Sequence, residues 1–199
     1  MIAENSDIVA LTAQADIHRL YVRIMRPALA EFAPTEECIG ETDDMDEFLE
    51  RARVNTHNAL CQELRRTFAL ILAALFERQV RLWLSAKAPA SKPKVENANW
   101  KGLFRFVDEI DSSITDHPVV SDLENLHLVA NAVRHGNGES VNALLQKMPK
   151  FWDETRTRLD ATRDLVGNMR IDDGQLERYT LAVLTFWHLA GASSVPGCV

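Results

Sequence analysis

From Glu124 to His135 the sequence sets five polar side chains at intervals that one side of a helix would gather. At about 100° per residue, Glu124, His127, Asn131, Arg134 and His135 share an arc of roughly 100°. Leu123, Leu126, Val129, Ala130 and Val133 share the opposite side. An ionisable ring, a permanent cation and a neutral amide therefore project together from a helix anchored by its other face. Such a set can move a proton beside a bound anion. Helix termination explains part of the run without any chemistry. Cations in a last turn complement the negative end of the helix dipole, and a following glycine accepts a positive φ. That covers Arg134, His135 and Gly136. It leaves Asn131, a poor helix former, and His127 unexplained.

These side chains need a scaffold, and apolar periodicity predicts a helical one. A helix is expected over 11–32 from Ile17, Leu20, Tyr21, Ile24, Met25 and Leu29, with Pro27 a kink or break. An acidic loop leads into a short helix around Met45, and a longer helix follows over 55–86. Its stripe of Leu60, Leu64, Phe68, Ile71, Leu75 and Leu82 is widened by Leu72, Phe76 and Trp83. A stripe that broad is expected to be buried against two neighbours. The two long helices form the expected antiparallel frame. Residues 88–94, with Pro89 and Pro93, read as an exposed connection. Helical spacing resumes over 100–114, and His117-Pro118 opens the helix over 119–135 that carries the polar arc. Gly136-Asn137-Gly138 reads as a tight turn, with Ser140 capping a helix through Leu144 and Leu145. The last predicted helices cover 152–166 and 174–189, ahead of a flexible tail over 190–199. No strand alternation persists. The expected fold is all-α, a single-domain helical bundle over 1–189 without internal repeats.

Composition narrows the function classes. With 199 residues, 46% of them hydrophobic, and only 8 glycines and 7 prolines, the chain fits a globular domain. Its apolar runs fall short of the roughly 20 residues that cross a bilayer, so no membrane span is expected. Acids stand near the start where a secretory leader carries Lys or Arg, and a cytoplasmic location is expected. Cys38, Cys61 and Cys198 lack pair spacing, which argues against a disulfide framework or a zinc site. No metal-binding or phosphate-cradling motif occurs, and no cofactor is expected. The net charge of −7 is unevenly spread. Residues 36–50 hold eight acids and no Lys or Arg, whereas 51–94 hold nine cations against Glu63 and Glu77. The two segments are expected to neutralise each other across a hairpin or interface, the alternative being a basic surface for RNA. Glu77 and Arg81 read as an i,i+4 ion pair. His18 and His188 adjoin apolar positions and are expected to be packed or capped.

Two long helices, an irregular connection and a later helix ending in Asn-x-x-x-His-Gly resemble the HEPN superfamily of bacterial and archaeal helical domains. The likeness covers the layout of about residues 10–145. Asn131 and His135 match the Asn and His of the family's Arg-Asn-to-His pattern. Ala130 stands where that arginine would be, and Arg134 supplies a cation on the same arc. A second Arg-to-His spacing, Arg51 to His57, fits the bare pattern but opens a helix instead of closing one. The resemblance implies a metal-independent endoribonuclease, a toxin or phage-defence effector, acting across a homodimer and held in check by an inhibitory partner protein. RNA cleavage by its own 2′-hydroxyl needs a base near neutral pH and a clamp for charge growing on the phosphate. The roles implied are His135 as base or acid, Arg134 as phosphate clamp, Asn131 as orienting group and His127 as a second proton carrier. Ala130 raises the alternative, a noncatalytic helical module for dimerisation or partner binding that has lost the ribonuclease motif. Its acidic segment would then dock a basic partner or the basic helix of a second copy.

Overall fold

A computed structural model describes residues 2–36, 44–152 and 164–192. Among them every regular element is helical. Helix α1, Ile2–Leu20, continues through a π-helical turn, Tyr21–Met25, into α2, Arg26–Glu31. Pro27 accounts for that turn. It has no N–H to bond the carbonyl four residues back, and its ring crowds the preceding turn. The helix widens by one residue instead, with the Arg26 N–H bonded to the Tyr21 carbonyl, and passes the proline without breaking.

Helix α3, Met45–Lys87, is 43 residues long, about 65 Å at 1.5 Å per residue. It merges the two helices predicted around Met45 and over 55–86. Asp44 caps its start by accepting from the backbone N–H of Asp46 at 2.8 Å and of Glu47 at 3.4 Å. Short turns then occupy the predicted connection, α4 being Lys92–Glu96. The helix predicted over 100–114 is split into α5, Trp100–Ile110, and α6, Ser112–Thr115. Asp111 is extended between them and its carboxylate caps the Ser113 N–H at 3.0 Å. Helix α7, Val119–His135, has the predicted bounds and ends at Gly136, whose φ of 76° disfavours any side chain. Helix α8, Glu139–Lys147, starts after Gly138, not at a Ser140 cap. Helix α9, Asp173–Ala192, runs past the predicted end at 189, and Ala190 is buried. Most of the helix predicted over 152–166, and residues 193–199 of the predicted tail, lie outside the described residues.

The long rods pack as one all-α bundle of α1–α2, α3, α7 and α9. Contacts at their ends give the directions. Asp7 lies 3.7 Å from Lys87, while Thr35 and Asn58 exchange two hydrogen bonds of 2.8 Å, so α1–α2 runs antiparallel to α3. Asp173 meets Arg65 and Trp187 meets Trp83, so α9 runs parallel to α3. Between the rods, Phe76, Trp83, Phe186 and Trp187 pack edge to face, Phe76 and Phe186 at 4.9 Å.

The broad stripe of α3 is only partly buried. Phe68, Leu72, Phe76 and Trp83 enter the core, but Leu60, Ile71 and Leu82 face outward. The packed rods α1–α2, α7 and α9 cover one side of the helix and leave these residues on the other. The basic run is not a continuous charged surface either. Arg65 and Arg66 are buried struts. The first bonds Asp173 and the carbonyls of Phe32 and Cys61; the second bonds Glu63 and the carbonyls of Val166, Gly167 and Met169. Arg51 and Arg53 pair with Glu47 and Glu50 within α3. Neutralisation is thus local, and 37–43 of the acidic segment lie outside the described residues. His18 and His188 are exposed, contrary to the expectation of packing, because each sits on the solvent side of its helix. Cys61 is a buried thiol, and Cys38 and Cys198 lie outside the described residues.

Candidate functional site

Helix α7 lays its polar arc along a cleft of about 780 Å³. Its apolar face fixes this orientation, because Leu123, Leu126, Val129 and Ala130 are buried in the bundle. Glu124, His127, Asn131 and Arg134 line the cleft from α7. Glu77 enters from α3, Asn99, Trp100 and Lys101 from the start of α5, and Lys147 from α8. The cleft exists because three helices converge on α7 without filling the space beside its polar side.

His127 is the most constrained member. Its ring stacks on Trp100, with centroids 4.3 Å apart and planes 13° from parallel. Trp100 is backed in turn by Phe104 at 4.7 Å and by Phe76 of the core at 6.0 Å. At the ring edge, His127 Nε2 lies 2.9 Å from Asn131 Nδ2. An amide NH₂ only donates, so with this orientation Nε2 is the acceptor and the neutral ring carries its proton on Nδ1. Burial holds the His127 pKa below the usual 6.5; Arg134 pushes the same way, while Glu77 and Glu124 oppose it. The imidazole is therefore neutral near pH 7.

The carboxylates of the cleft are already engaged. Glu77 accepts from Arg81 at 2.7 Å, as the ion pair expected from the sequence. Arg81 also clamps the carbonyls of Val95 and Ala98, which ties α3 to the chain entering α5. Glu124 accepts from Lys147 at 3.2 Å.

Compared with protein-family models, curated proteins and solved structures, the chain matches none. Its site is thus read from geometry alone. Three of the four residues singled out from the sequence, His127, Asn131 and Arg134, share the cleft. His135 does not line it; it is exposed at the end of α7. Ala130 points into the core. Of the second Arg-to-His pair, Arg51 bonds Glu47, and His57 Nε2 lies 3.0 Å from the Ala33 carbonyl and 3.4 Å from Cys61 Sγ. Sequence reasoning passed over Trp100, Lys101 and Lys147. Trp100 carried a weak signal as a large ring at a helix start, and the two lysines carried none. Among the described residues, no cluster of His, Cys, Asp and Glu is arranged to hold a metal, and no helix is long and apolar enough to cross a membrane.

A second feature lies on the outer side of α3. Leu49, Leu60, Ile71 and Leu82 recur every eleven residues and are 57, 60, 38 and 56% exposed. Eleven residues make three turns at about 3.67 residues per turn, so the four side chains form a nearly straight line down the helix. The line spans about 50 Å at 1.5 Å per residue. Ala52 and Ala74 beside it are exposed and small.

Proposed function

We propose that this chain is a noncatalytic helical module that dimerises through the outer side of α3. The exposed line of Leu49, Leu60, Ile71 and Leu82 carries the reading. Two such lines match in antiparallel register, Leu49 of one copy against Leu82 of the other and Leu60 against Ile71, about a two-fold axis between Arg65 and Arg66. A seam of about 50 Å is long enough to bury the roughly 800 Å² per partner of a stable interface. The reading keeps the HEPN-like layout and makes Ala130 a core residue in place of the family's arginine. The test is sedimentation of the wild type beside the Leu60→Glu, Ile71→Glu double variant. The wild type should run at twice its 22.4 kDa and the variant at that mass, with equal helix content. A wild type that stays monomeric at about 100 μM, well above the Kd of a stable dimer, would sink the reading.

A second reading, a HEPN-like metal-independent ribonuclease serving as toxin or phage-defence effector, rests on His127, Asn131 and Arg134 lining one cleft. In it His127 is the proton carrier and Arg134 the clamp. Against it, the Nε2 lone pair of His127 is occupied by Asn131, and His135 stands outside the cleft. Total RNA from cells expressing wild type, His127→Ala and His135→Ala separates the two readings. Intact RNA in all three agrees with the noncatalytic module. Fragments in wild type that vanish in His127→Ala would establish the ribonuclease.

A further inference from the structure

Among the described residues, two charged side chains of the cleft lack a fixed partner, and both are positive. Arg81 and Lys147 hold the carboxylates of Glu77 and Glu124. Lys101 and Arg134 are exposed and make no hydrogen bond or ion pair with a described residue. A ligand entering this space meets uncompensated positive charge from two elements, α5 and α7.

The same space has a flat apolar wall. Trp100 and His127 line it as a stacked pair, backed behind Trp100 by Phe104, with the His127 plane set by the stack and its edge by Asn131. A ring already held in this way loses little further freedom when another stacks on it. Arg134 follows His127 by seven residues, about 10 Å of rise on nearly the same face. Long side chains on a helix lean toward its N-terminus, which turns the guanidinium back toward the His127 ring. The cleft's 780 Å³ falls within the roughly 300–1,000 Å³ range of sites for small organic ligands.

We infer that the cleft binds a small organic anion with a planar conjugated body. The body stacks on the His127 ring, and the negative group rests between Arg134 and Lys101. A phosphate and a carboxylate both satisfy the two cations, Arg134 by a bidentate fork and Lys101 as a point charge. The inference needs neither the α3 seam nor any reaction, so it stands or falls apart from both readings above.

The test is calorimetric titration of the full chain with two anions and their neutral counterparts: adenosine monophosphate with adenosine, and indole-3-acetate with indole-3-acetamide. One anion should bind with a Kd of about 1 mM or tighter, and its neutral counterpart about tenfold more weakly. Which anion it is distinguishes a phosphate ligand from a carboxylate one. Arg134→Gln and Lys101→Gln should each weaken that anion by about tenfold, the loss of one charge-assisted contact. On saturation, the ring-proton resonances of His127 should move upfield under the stacked body. Both substituted side chains are exposed, so the variants should keep the wild-type circular dichroism. The inference is overturned if neither anion binds at about 10 mM, ten times the weakest Kd expected. It is equally overturned if the neutral counterparts bind as well as the anions, or if Arg134→Gln binds unchanged with the His127 resonances unmoved.

Discussion

At the level of single residues, His127 is where the chain commits most strongly to one state. A histidine on a helix surface would titrate near 6.5, but this one is stacked, half-buried and bonded through Nε2. Its folded-state pKa lies below the unfolded value, so the folded protein binds fewer protons between the two. Stability contributed by the neutral ring is fully present above about 6.5 and is lost as pH falls through the folded pKa. Histidine resonances followed by NMR should show His127 titrating below 6.5. The melting temperature should fall more steeply on acidification below 6.5 in wild type than in His127→Gln. Trp100→Ala should raise the His127 pKa toward 6.5, because removing the stacked ring readmits water. An unshifted titration in wild type would contradict the packing described. Sequence spacing placed His127, Asn131 and Arg134 on one face because that face is a property of the helix itself. It could not show that His135, only one residue further on, falls beyond the cleft, because the cleft's edge is made by α5 and α8.

At the level of elements, the adjacent pair Arg65 and Arg66 does the joining. Both are buried on α3, and each reaches a different stretch of chain that has little regular structure to hold it. Arg65 ties the end of α2 and the start of α9 to the middle of α3. Arg66 holds the carbonyls of Val166, Gly167 and Met169 ahead of α9. Arg65→Met should cost about 3 kcal/mol, since it removes a buried cation that bonds Asp173 and the carbonyls of Phe32 and Cys61 at once. Chemical denaturation measures that cost, and a change under about 0.5 kcal/mol, typical of a surface site, would refute the strut role. In the sequence these two arginines count only as positive charge in a basic run. Periodicity located α7 to the residue and missed the split at Asp111, because a carboxylate that leaves a helix to cap the next one does not alter the apolar spacing around it.

At the level of the whole molecule, the unburied side of α3 decides the outlook. This helix exceeds every other rod in the bundle, and its core-facing residues account for only part of its apolar content. A dimer through Leu49, Leu60, Ile71 and Leu82 would make the melting temperature rise with protein concentration, since association stabilises the folded state by mass action. A concentration-independent melting temperature in wild type, or a concentration dependence that persists unchanged in Leu60→Glu, Ile71→Glu, would count against the seam. The cleft opens beside α7 and involves none of the four seam residues, so ligand binding and dimerisation can be measured separately.

The all-α class, the bounds of α7 and the division of that helix into an apolar and a polar face were legible from residue types. They depend on a 3.6-residue period, local capping and glycine at a positive φ, all of which act within a few residues along the chain. Which apolar residues of α3 are core and which are surface was not legible. Leu60 and Phe68 look alike in a periodicity, and only the number and placement of the packed rods tells them apart. Nor could spacing reveal that Trp100 stacks on His127, that Glu124 is engaged by Lys147, or that Lys101 and Arg134 are left to face the cleft. Those are contacts between residues far apart in the chain, and they come into being only when the rods close on one another.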